Sequence, residues 1–245
     1  MTSDREVARR ALACLDLTDL GDSCSDDDVE RLCSRAVTPY GAVAAVCVWP
    51  RFVGASVEHL TGTGVGVATV VNFPSGSEPI DSVLATTRRA LDDGATDIDL
   101  VLPYRSFVRG EIAFVREFVV AVRDVVPSDR HLKVILETGE IVDRDLIGSA
   151  ARLVIDAGAD FVKTSTGKSP ISATPDAVRT ILTVIRDSGR RVGVKPSGGI
   201  RTLEDARRYL DLADEIMGPD WVSSRTFRFG ASGLLDAIHS ALGVT

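Results

Sequence analysis

A chain of 245 residues that is 44% apolar and 26% charged has the composition of a globular protein with a substantial core, and it lacks the polar bias of a disordered one. Its net charge of −7 excludes a general nucleic-acid surface, which needs a basic stripe, so any anionic ligand has to be caught by a few groups aimed at it. No run approaches the ~20 apolar residues of a membrane span, and the N-terminus has neither the basic start nor the apolar stretch of a secretory signal, so a cytoplasmic protein with no membrane partner is expected.

The pattern begins with a helix over Asp4–Cys14. Cys14, Cys24, Cys33 and Cys47 have no CxxC spacing and only three histidines for company, which predicts neither a metal site nor a disulfide framework. β-rich runs then alternate with amphipathic helical runs. Strands are predicted at Val43–Trp49, Val65–Val71, Asp97–Leu102, Leu132–Glu137, Phe161–Thr164, Val192–Lys195, Glu215–Met217 and Phe227–Gly230. Helices such as Glu78–Leu91, Glu111–Val125, Arg144–Ala157 and Pro175–Ser188 separate them, several stopped near Gly94, Gly158 and Gly189. Strict β/α alternation without a linker predicts one domain over residues 1–245, an α/β chain folded as a (β/α)8 TIM barrel with an additional N-terminal helix. An open doubly wound sheet is the alternative. Against it, Thr61-Gly-Thr-Gly-Val-Gly66 precedes a strand instead of linking strand to helix, so it does not read as a dinucleotide turn.

Barrel enzymes place their chemistry where strands end. Only four of the 28 basic residues are lysine, at 133, 163, 168 and 195, and the rest are arginine. Arginine can replace lysine as a charge, but a guanidinium with pKa above ~12 cannot act as a neutral amine. Lys163 and Lys195 each end a predicted strand ahead of a glycine- and hydroxyl-rich turn. Either one alone is read as well by a buried ion pair with a barrel carboxylate. Two of them on neighbouring strands would repel, and the less solvated one would lose its proton more easily, which points to imine chemistry on a carbonyl compound. Asp97 and Asp99 lie at i and i+2 on one strand face, and Asp99 could move a proton or hold a lysine. Asp16 could bind a substrate hydroxyl or cap a local turn. Cys47 reads as a buried structural thiol, with a place on the substrate pocket as the alternative. Gly167, Gly198, Gly199, Gly230 and Ser232 occupy turns at late strand ends, where exposed N–H groups and a helix N-terminus can cradle an anion. Lys133, early in its strand, reads as a structural ion pair in the barrel floor.

The segments Leu15-Asp16-Leu17-Thr18, Val46-Cys47-Val48-Trp49-Pro50-Arg51-Phe52, Asn72-Phe73-Pro74, Asp99-Leu-Val-Leu-Pro-Tyr104-Arg105, Glu137-Thr138-Gly139, Phe161-Val-Lys163-Thr-Ser-Thr-Gly-Lys168, Lys195-Pro-Ser-Gly-Gly199-Ile-Arg201 and Arg228-Phe-Gly230-Ala-Ser232 closely resemble the deoxyribose-phosphate aldolase family nearly end to end. The resemblance implies reversible cleavage of 2-deoxy-D-ribose 5-phosphate to D-glyceraldehyde 3-phosphate and acetaldehyde, in deoxyribose phosphate catabolism. It implies Lys163 as the Schiff-base lysine, Lys195 as the ammonium that depresses its pKa, and Asp99 as the partner in proton relay. It implies Asp16 and Lys168 near the substrate hydroxyls, and Gly167, Gly199, Arg201, Gly230 and Ser232 around the phosphate, with Thr18, Cys47 and Gly198 completing the binding set. No cofactor or metal is implied; the partners are a phosphorylated sugar and aldehydes, with a homodimer or homotetramer as the assembly. The chain differs in reading Ala231-Ser232-Gly233 where many members carry two serines, and in having no tyrosine-ending tail, so Asp99, Lys195 and water are the expected proton carriers. Other readings are another Schiff-base barrel aldolase or transaldolase, and a noncatalytic sugar-phosphate-binding barrel.

Overall fold

In a computed structural model, which describes residues 3–243, eight parallel strands form one sheet whose order runs around a barrel. They are β1 (Leu15–Thr18), β2 (Ala45–Val48), β3 (Gly66–Val71), β4 (Asp97–Val101), β5 (His131–Ile135), β6 (Phe161–Lys163), β7 (Gly193–Lys195) and β8 (Phe229–Ala231). β8 pairs with β1, with Leu15 opposite Phe229 and Asp16 opposite Gly230. Between β7 and β8 the ring closes through the single bridges Val194–Phe227 and Ser197–Gly230. The sequence readings at Met1, Thr2, Val244 and Thr245 lie outside the described residues.

Two expectations about strands need correction. Glu215–Met217 is not a strand but the last turn of the helix Leu203–Met217. A capping box between Thr202 and Asp205 starts that helix, and Ala206, Tyr209, Leu210 and Ala213 bury one stripe at helical spacing, which the apolar pair Ile216-Met217 extends. The eighth barrel strand is instead β1, the four-residue run Leu15-Asp16-Leu17-Thr18, which is not among the predicted strands. The remaining strands fall inside the predicted runs to within a residue or two, and the helices Asp4–Ala13, Ile80–Asp92, Ile112–Val125, Arg144–Asp156 and Pro175–Ser188 match theirs. Gly94, Gly158 and Gly189 end three of these helices with φ of 99°, 92° and 65°, a region that side chains with a Cβ rarely enter.

Strand alternation divides the barrel into two environments. Val46, Val48, Ile98, Leu100, Leu132, Val134, Val162 and Val194 face the surrounding helices and are fully buried, each contributing about 1.5–3 kcal/mol of burial. The opposite faces carry Asp16, Asp97, Asp99, Lys133, Lys163 and Lys195 into the lumen. Register aligns them. Ile135 lies opposite Lys163, Lys163 opposite Lys195, and Lys133 opposite both Asp99 and Phe161. The larger apolar core of the fold therefore sits outside the ring, and the lumen pairs these charges with a smaller apolar cluster at Ala45, Cys47, Ala68 and Val70.

Candidate active site

The lumen holds a chain of ion pairs. At its base Lys133 Nζ bonds Asp97 and lies 3.3 Å from Asp99 Oδ1 and 3.7 Å from Asp16 Oδ2. Arg228 Nη1 donates to Asp16 Oδ1 at 2.5 Å, its guanidinium 5.7 Å from the Phe161 ring centre. One level higher, Lys195 Nζ sits 2.5 Å from Asp16 Oδ2 and donates to Asp99 Oδ2 at 2.8 Å. Lys163 Nζ donates to that same Asp99 oxygen at 2.7 Å.

Charge accounting sets the two upper lysines apart. Three carboxylates, Asp16, Asp97 and Asp99, face three cations in Lys133, Lys195 and Arg228, and Lys163 is a fourth cation with only a share of Asp99. Burial therefore wins at Lys163: desolvation lowers its pKa, the adjacent Lys195 ammonium lowers it further, and Asp99 opposes them only in part. Burial also disfavours the charged form of Lys195, but Asp16 and Asp99 overcome it and hold the pKa above the ordinary lysine value. Asp99 stays below the usual carboxylate range despite burial, because Lys163 and Lys195 stabilise its charge.

Above this network a cavity of about 510 Å³ opens at the carboxyl ends of β1, β6, β7 and β8. Of the residues singled out from the sequence, Thr18, Lys163, Gly167, Lys168, Gly198, Gly199, Arg201, Gly230 and Ser232 line it. Asp16, Cys47, Asp99 and Lys195 do not. They lie beneath, fully buried, so that Lys163 alone among the interior lysines reaches the cavity. Cys47 packs with Leu20, Ala45, Ala68, Val70, Trp49 and Phe73, and burial raises its thiol pKa. Lys168 extends across the mouth to Asp22 at 2.9 Å.

One end of the cavity is built from turns. Gly198 and Gly199 both have positive φ, and a Cβ on Gly230 would lie 2.2 Å from Ser197 Oγ and 3.1 Å from Lys195 Cε, so a side chain there would push Ser197 aside and crowd the lysine. The N–H groups of Gly167, Gly199 and Ser232 donate to no protein acceptor among the described residues. The helix Leu234–Leu242 starts just behind Ser232 with no side-chain cap, adding the positive end of its dipole. Sequence reasoning gave no binding role to Ser197 or Arg35 and took Thr166 only as part of the turn with Gly167 and Lys168; all three line the cavity. Ser197 and Thr166 lay within the lysine motifs and could have been chosen. Arg35 ends the helix Asp26–Arg35 and pairs with Asp236, a contact across some 200 residues that no local pattern announces.

Fold and site together define an aldolase of the β/α-barrel class. The chain belongs to the DeoC/LacD family of aldolases, whose model matches residues 4–239. It is 49% identical over 239 residues to a deoxyribose-phosphate aldolase of Agrobacterium fabrum, an alignment covering 97% of this chain and 92% of the relative. Among solved structures, a candidate deoxyribose-phosphate aldolase of Toxoplasma gondii superposes with a TM-score of 0.90 at 28% identity, over 98% of this chain and 97% of the other. One of Coccidioides immitis gives 0.84 at 34% identity, over 96% and 86%.

Proposed function

We propose that this aldolase cleaves 2-deoxy-D-ribose 5-phosphate reversibly to D-glyceraldehyde 3-phosphate and acetaldehyde through an imine on Lys163. The observation that carries the reading is the lumen's charge count, which leaves Lys163 as the surplus cation and the one interior lysine on the cavity wall. A neutral Lys163 Nζ attacks the C1 carbonyl, and loss of water gives the protonated imine. The C3 hydroxyl gives up its proton, its oxygen forms the new carbonyl, and the C2–C3 bond breaks. Its electron pair moves into the C1–C2 bond as the iminium nitrogen accepts charge. The resulting enamine is protonated at C2 and hydrolysed, releasing acetaldehyde and restoring the amine.

Asp99, whose Oδ2 accepts from Lys163 at 2.7 Å and from Lys195 at 2.8 Å, and Lys195 are the protein groups that relay protons together with water. The glycine turns, Arg201 and Ser232 hold the phosphate, and that remote binding energy orients the reacting carbons. The iminium supplies the electron withdrawal that a metal would otherwise give, so the reading is metal-free. Its cytoplasmic setting and homodimeric or homotetrameric assembly belong to the same reading.

Borohydride reduction in the presence of acetaldehyde or deoxyribose 5-phosphate, followed by peptide mass spectrometry, tests the assignment. The expected adduct is on Lys163. An adduct on Lys195 with Lys163 unmodified would reverse the roles, and no adduct on a protein that still binds the sugar phosphate would leave a noncatalytic barrel.

A further inference from the structure

The Glu137-Thr138-Gly139 segment just beyond β5 touches the loop that follows Lys163 at three points. Thr138 N–H donates to the Thr164 carbonyl at 2.9 Å. The Glu137 carboxylate accepts the Thr166 hydroxyl at 2.5 Å, and each of its oxygens lies 3.3 Å from the Thr166 N–H that it accepts. Gly139 packs so closely that a Cβ on it would stand 2.0 Å from the Ile171 carbonyl oxygen. Glu137 makes its contacts from left-handed backbone, φ 59° and ψ 62°, which costs a residue other than glycine on the order of 1 kcal/mol. It is also 1% exposed, and burial raises its carboxyl pKa. Strained backbone and desolvation both act against an ionisable side chain here, so what it holds has to outweigh them.

It holds one wall of the anion cradle. Thr166 Oγ1 accepts the Lys168 N–H at 3.0 Å, and a Cβ on Gly198 would lie 3.2 Å from Gly167 Cα, so the two glycine turns rest on each other. We infer that Glu137 is a positioning residue: it does not line the cavity, and by clamping Thr166 it fixes the turn whose Gly167 amide faces the phosphate. The identity of the sugar rests on the function proposed above, whereas the anion requires only the cradle.

Glu137→Ala removes the clamp, and Glu137→Gly removes it while suiting the left-handed backbone, which guards against a folding failure in the first variant. Because a hydrogen bond to a charged group is roughly twice as strong as a neutral one, both should raise KM for deoxyribose 5-phosphate about tenfold or more. Glu137→Gln keeps one acceptor for the Thr166 hydroxyl and should fall between them and the parent. Cleavage of unphosphorylated deoxyribose, and borohydride trapping of acetaldehyde on Lys163, should change by no more than about twofold, since neither uses the cradle. Inorganic phosphate should raise Tm of the parent by mass action, and do so far less for Glu137→Gly. Equal losses on the two sugars, or phosphate stabilisation of the variant equal to that of the parent, would overturn the inference. A parent that is stabilised by phosphate yet cleaves neither sugar would sink the proposed substrate, and the phosphate comparison would still decide the role of Glu137.

Discussion

Asp99 offers one oxygen to two ammonium groups, and the difference between those groups lies in what else each can reach. Lys195 has Asp16 at 2.5 Å as well, and Lys163 has no second carboxylate within 4 Å among the described residues. Imine formation needs the neutral amine, so it increases as pH rises through the Lys163 pKa. A lowered pKa moves that limb toward neutrality. Lys195→Leu deletes the like charge and leaves more of Asp99 to Lys163, and both changes raise the Lys163 pKa toward the reference of ~10.4. The alkaline-rising limb of kcat/KM should therefore shift upward by about one pH unit or more, measured on the folded fraction. An unchanged profile would remove Lys195 from this role.

At the level of strands and helices, the lumen has room for the Phe161 ring because its neighbour on the next strand has no side chain. Gly193 faces Phe161 across β6 and β7, and a Cβ there would stand 2.3 Å from the ring and 2.7 Å from the Thr226 carbonyl. Gly193→Ala should cost about 1–3 kcal/mol through overpacking, read as a lower Tm in calorimetry, and an unchanged Tm would mean that Phe161 has room to turn. The same strands explain what sequence reading could reach. β3 to β6 were legible because apolar residues facing the helices alternate with lumen residues inside a run bounded by turns. β1 was not, because Leu-Asp-Leu-Thr is one alternation and a half, too short to separate a strand from a turn, and its lumen residue is a carboxylate. Glu215-Ile-Met was misread for the opposite reason: three residues judged alone hide a period that needs the whole stretch from Ala206. The lysine and glycine motifs gave the cavity wall. The pairing of Lys195 with Asp16 joins segments 179 positions apart that meet only on closure of the ring, and that of Glu137 with Thr166 joins segments 29 apart that meet when β5 pairs with β6.

Over the whole molecule, net charge of −7 coexists with a cavity mouth bearing Arg35, Lys168 and Arg201, so an anion meets a local attraction within an otherwise repelling field. The scarcity of lysine has a further effect on how this protein meets its own product. Three of the four lysines are buried in the lumen, and Lys168 is the one whose side chain is partly open to solvent. Acetaldehyde condenses with amines and not usefully with protonated guanidinium groups, so an exterior cationised by arginine gives a volatile aldehyde few lysine amines to modify. Incubation with excess acetaldehyde and a mild reductant should alkylate Lys163 and Lys168 while leaving Lys133 and Lys195 untouched, and efficient alkylation of Lys133 would show that its burial is breached. Arginine on the outside thus acts as chemical camouflage, leaving the lysine side chains that an aldehyde can reach at the cavity and its rim.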